Sequence, residues 1–136
     1  MKIRSVLEDI ILSVENCRAA LVASPDGMVV DWMVVDSVVS PDEMAAEVAD
    51  LLSRAARFFR EATGDRLEDI SLRAQQMSCV GCPVAEGYFL LILMETAKES
   101  ETVLHRLHRA AGLLEEQFVV MATKDTGSAS MAVVSG

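Results

Sequence analysis

The chain has 136 residues, the size of one ordinary domain, and 51% of them are apolar, enough for a sizeable core. Its formal net charge of −9 argues against a nucleic-acid ligand or attachment to an anionic membrane, both of which call for a surplus of Lys and Arg. Three cysteines (Cys17, Cys79, Cys82) are too few for a disulfide framework, the N-terminal residues do not read as a signal peptide, and the longest apolar run, Tyr88 to Met94, is far too short to span a bilayer, so a cytoplasmic protein with reduced thiols is expected.

The first helix is expected to open at Ser5, where Ser5-Val6-Leu7-Glu8 reads as a capping box, with Val6, Leu7, Ile10, Ile11 and Val14 at helical spacing and Asn16 as its end. A hairpin follows. Arg18 to Ala23 is a short apolar run, Ser24-Pro25-Asp26-Gly27 is a turn in which Pro presets φ and Gly accepts positive φ, and Met28 to Val35 is a β-branched second strand.

The second helix has the clearest punctuation. Ser40 can cap it, Pro41 suits its first position, Glu43 completes the box, and Gly64 stands where a left-handed residue is wanted. Met44, Val48, Leu51, Leu52, Ala55, Phe58, Phe59 and Ala62 read as one continuous apolar stripe, and Asp50 with Arg54 and Arg57 with Glu61 as i,i+4 pairs on the flank and outer face.

Three strands come next. In Leu67 to Ala74, Ile70, Leu72 and Ala74 face inward while Ser71 and Arg73 face out. Met77 to Val84 is a weaker strand disturbed by Gly81 and Pro83. After the tight turn Ala85-Glu86-Gly87, Tyr88 to Met94 is apolar at every position, which predicts a central strand covered on both faces. The last helix opens near Ser100 and carries Val103, Leu104, Leu107, Ala111, Leu114 and Phe118 on its apolar face. Residues 1–122 then form the domain, and 123–136, with Thr-Gly-Ser-Ala-Ser, read as a flexible tail.

Short turns between strands predict a mostly antiparallel sheet, and the helices predict a sandwich with the second helix alone on one face and the terminal helices on the other. Met28 to Val35 is interrupted only by Asp31 and contains Trp32, the one tryptophan. Two readings stand: an exposed apolar edge that pairs with its own copy across a two-fold axis, or an interior strand whose Trp is simply core.

Motifs for chemistry are weak. Cys79 and Cys82 lie three apart in an apparent strand, so they should point to opposite faces; with no second CxxC they read as core thiols, not a redox pair or zinc site. His105 and His108 read as exposed helix-face histidines, with no converging carboxylate evident in sequence. There is no GxxxxGK[ST] loop and no GxGxxG, so no catalytic residue, cofactor or metal site is expected.

The order of elements, with CRAALVASPDGMVVDW as strand–turn–strand, LEDISLRA, and GYFLLILMET after Glu86-Gly87, resembles the roadblock (dynein light-chain) family over about residues 5–118, nearest in style to the bacterial and archaeal branch typified by the gliding-motility regulator MglB. The resemblance implies an α/β (α+β) sandwich: a five-stranded antiparallel sheet with one long helix on one face and two on the other. It implies a homodimer joined through the second strand and long helix (here Met28, Val30, Trp32 and Val34 with Met44 and Leu51). It also implies a non-catalytic platform that docks and regulates a small Ras-like GTPase, for which Asp50, Arg54, Arg57 and Glu61 are the expected contacts. The alternative is a scaffold subunit of a sensory or motility complex with no GTPase link. The sequence departs from the family pattern at Cys79 to Pro83 and in the tail.

Overall fold

In a computed structural model of the chain, residues 2–36, 39–98 and 100–129 are described. The elements are α1 (Ile3–Ser13), β1 (Cys17–Ala23), β2 (Val29–Val34), α2 (Pro41–Thr63), β3 (Ile70–Arg73), β4 (Met77–Pro83), β5 (Phe89–Glu95), a 3-10 turn (Thr96–Lys98) and α3 (Glu101–Ala129). The strands form one sheet in the order β2-β1-β5-β4-β3, and every pairing is antiparallel.

Two cores lie on either side of this sheet. On one, α1 and α3 bring Val6, Leu7, Ile10, Leu107 and Leu114 onto Val22, Val80, Leu90 and Ile92. On the other, α2 alone sets Met44, Ala45, Ala49 and Leu52 against Leu21, Cys79, Phe89 and Leu91. β5 is the central strand and is buried on both sides, as its unbroken apolar run predicted.

α2 obeys its local signals. Ser40 Oγ accepts the amide of Glu43 at 3.4 Å, Pro41 holds the first position, and Gly64 ends the helix at φ 73 with its amide on Arg60 C=O. In the hairpin, Gly27 takes φ 83 and donates to Ser24 C=O at 3.0 Å. A Cβ on Gly27 would meet Ala46 Cα at 3.4 Å, so the turn also sits close under the start of α2.

Several boundaries differ from expectation. α1 opens two residues before Ser5; the Lys2 carbonyl takes the amides of Ser5 and Val6, so the hydroxyl of Ser5 is not the cap. The apolar stripe of α2 splits in two. Met44, Ala45, Ala49 and Leu52 are buried against the sheet; Leu51 and Phe58 are exposed on the flanking side of the helix, and Phe59, on the same face as Leu52, is exposed because every residue of α2 from Arg57 onward is. β3 stops at Arg73, and Ala74 is exposed, bonding Met77 C=O in the turn to β4. β4 is not disrupted at Gly81 or Pro83 and keeps register with β5 through Pro83. A Cβ on Gly81 would lie 2.7 Å from Leu91 Cδ2 and 2.9 Å from Leu52 Cδ1, so the glycine is where α2 approaches the sheet most tightly. α3 continues as helix to Ala129, past the expected start of the tail, and residues 130–136 lie outside the described residues.

Candidate interaction surface

β2 is an edge strand: among the described residues β1 is its one neighbour in the sheet. Val35 N–H bonds Arg18 C=O at 2.8 Å, and antiparallel pairing alternates, so Asp31 and Met33 turn their backbone groups to β1 while Trp32 and Val34 turn theirs away from it. A bulge between Val22 and Ala23 adds one residue to the β2 side and sharpens its twist.

The side chains along this edge are apolar and open to solvent. Met28 is 65% exposed, Trp32 46% and Val30 41%, with Val35 also exposed and Val34 half-buried. This decides between the two readings of Trp32: it is not a core residue of its own chain. Arg4 of α1 braces the strand. Its guanidinium is 2.5 Å from Asp31 Oδ1, 3.7 Å from Met33 Sδ and 5.9 Å from the centre of the Trp32 ring. Asp31 Oδ1 also accepts the outward amide of Trp32 at 2.9 Å.

α2, which packs over β1, β2 and β5, supplies a second apolar surface. Leu51 is exposed, and so are Phe58 and Phe59, whose rings meet edge to face at 5.3 Å. Both phenylalanines belong to the apolar stripe read from sequence; no local signal shows that the helix is exposed from Arg57 onward. Met44, expected at the shared face, is only 5% exposed and packs in the core of its own chain, so it drops out of that surface. Asp50, Arg54, Arg57 and Glu61 are all exposed on α2, and Asp50 pairs with Arg54 at 3.0 Å. Charge is graded along the helix, with Asp42, Glu43, Glu47 and Asp50 in the first half and Arg54, Arg57 and Arg60 against the single acid Glu61 in the second, the sense that suits the helix dipole.

The CxxC residues lie on opposite faces of the sheet, Cys79 under α2 and Cys82 under α3. Burial pushes both thiols up to about 12, and Asp69 adds to the effect at Cys82; Cys17, also buried, is pushed up to about 11. Thiols kept protonated on opposite faces cannot serve as a redox pair. His108 does have a carboxylate partner, Asp69, at 2.7 Å. The sequence reading missed it because the two stand 39 positions apart. Among the described residues, no helix is long and apolar enough to cross a membrane.

The fold and the comparisons agree on the class of protein. The sequence profile of the Roadblock/LC7 domain matches residues 6–94, more than half of the chain, and the chain belongs to that family. Among solved structures it is similar to MglB of Myxococcus xanthus (TM-score 0.79, 12% identity, covering 88% of this chain and 97% of that one). It is also similar to a Roadblock/LC7 domain of Streptomyces avermitilis (TM-score 0.74, 16% identity, 85% and 96%) and to an MglB with a tetrameric arrangement (TM-score 0.75, 18% identity, 84% and 85%). No curated protein matches the chain in sequence.

Proposed function

We propose that the chain is a non-catalytic cytoplasmic binding module that homodimerises through β2 and the exposed face of α2, and that the dimer docks and regulates a small Ras-like GTPase. The observation that carries the dimer is the β2 edge, where outward backbone groups at Trp32 and Val34 are flanked by the exposed side chains of Met28, Val30 and Trp32. An exposed apolar edge of this kind invites pairing with another chain, and a second copy offers the same six-residue strand. Leu51, Phe58 and Phe59 extend the contact onto α2. The tetrameric arrangement of one similar MglB supports self-association in this fold.

The GTPase half rests on the family resemblance and on the exposed charges Asp50, Arg54, Arg57 and Glu61, which two paired α2 helices would gather on one face. Sedimentation of the purified chain tests the dimer. Capture of small GTPases from the same cell, loaded with GDP or a non-hydrolysable GTP analogue, tests the partner. A dimer whose GTPase binding depends on the bound nucleotide is the expected result. A stable monomer at micromolar concentration removes the platform. A dimer that binds no GTPase in either state leaves the scaffold reading in its place.

A further inference from the structure

At the end of the sheet remote from β2, the chain leading into β3 meets α3. Glu68 and Asp69 come from the first and His108 from the second, and one donor atom from each lies within 4.8 Å of the other two. Asp69 Oδ2 is 2.7 Å from His108 Nε2. An ion at the centre of such a triangle lies no more than about 2.8 Å from each donor, so small rotamer adjustments reach the bond lengths of about 2.0–2.2 Å that zinc makes to imidazole and carboxylate.

We infer that Glu68, Asp69 and His108 form a zinc-binding site that staples the entry of β3 to α3. The donor set narrows the class of metal. One imidazole nitrogen with two carboxylates suits a borderline cation such as Zn²⁺, whereas Mg²⁺ and Ca²⁺ favour oxygen alone. Two carboxylates balance the charge of one Zn²⁺. The ion would take the Nε2 lone pair of the neutral imidazole in the tautomer that carries its one ring proton on Nδ1. A groove of about 510 Å³ opens beside the triad, with Asp65, Glu68, His108 and Glu115 in its walls and Arg66 as the opposing charge. It gives room for a water as fourth ligand, and its acidic walls favour a cation. Leu107 and Ala111, buried on either side of His108, fix the helix turn that carries the imidazole.

Calorimetric titration of the EDTA-stripped full chain with zinc chloride, with thermal unfolding alongside, tests the site. One ion per chain and a rise in Tm are expected. H108Q and D69N should each weaken binding at least about tenfold, a lower bound set by what even outer-shell changes cost. H105Q, an exposed change on the same helix, should leave binding intact. Circular dichroism of each variant confirms folding, and D69N decides the matter should H108Q misfold. Zinc binding undiminished in H108Q and D69N, binding lost only when the thiols are removed, or no saturable zinc binding overturns the assignment. The site lies at the sheet edge opposite β2, so its outcome is independent of the dimer's.

Discussion

Arg4 and Asp31 form an ion pair, 2.5 Å from Nη2 to Oδ1, that ties α1 to the free margin of the sheet. Arg4 is more than half exposed, so the pair contributes little to folding, within the ~0–1 kcal/mol of surface pairs. In the proposed dimer its effect would belong to association. Pairing β2 with its own copy brings two Asp31 carboxylates to one seam, and each needs its arginine. R4Q should therefore leave Tm nearly unchanged and raise the dimer dissociation constant roughly fivefold, the equivalent of about 1 kcal/mol. Sedimentation at low and high salt checks it, because salt should restore much of the loss. An unchanged dissociation constant at low salt rules the role out.

A charge placed on β2 should separate chains without unfolding them. W32D puts a carboxylate at a side chain already 46% exposed, so the variant is expected to keep its circular dichroism and sediment as a monomer. M44D places the same charge in the core beneath α2, where an unpaired carboxylate is not tolerated, and should fail to fold. If both variants fold, or both unfold, the division between edge and core at these residues is wrong.

Gly81 tests the packing of α2 on the sheet. A methyl group there collides with Leu91 Cδ2 and Leu52 Cδ1, at 2.7 and 2.9 Å from the new atom, in a region buried on all sides. G81A should cost about 1–3 kcal/mol in urea unfolding. Shortening Leu52 in the same molecule should recover part of that cost, so that G81A and L52A together lose less than the sum of the single losses. Strict additivity would show that the two sites are uncoupled.

The three thiols give the protein an alkaline limit. In the folded chain Cys79 and Cys82 are pushed up to about 12 and Cys17 to about 11, from about 9. The unfolded chain releases those protons first, so their contribution is complete below about pH 9 and is lost as pH rises through about 11 to 12. Denaturant titrations at about pH 8 and pH 10.5 should show the decline, with a shallower slope in a C79A/C82A variant. In native protein near neutral pH all three should resist a thiol reagent and should react once it unfolds. Rapid native labelling of Cys79 or Cys82 would contradict this burial.

The parts of the fold written in short-range chemistry were legible in the sequence. Ser40, Pro41 and Gly64 bound α2 by cap, fixed φ and left-handed stop, each readable within a few residues. The apolar run of β5 announced a strand covered on both faces, and the spacing of Cys79 and Cys82 placed them on opposite sides. Most of what escaped depended on neighbours distant in sequence. Met44 and Phe58 look alike on a helical projection; the sheet buries the first and leaves the second open. Ser5 has the residues of a cap, but α1 had already begun from the Lys2 carbonyl. His108 acquires Asp69 only when β3 and α3 come together.

The two margins of the sheet are unequal, and in the proposed dimer this would limit how far assembly proceeds. β2 is six residues long and apolar, whereas β3 is four residues long and alternates outward Ser71 and Arg73 with its inward residues. A pair formed through β2 would expose only the two short polar ends, poor templates for adding another chain. A protein paired in this way would not polymerise into fibres, because hydrogen bonding across the seam would terminate at two subunits.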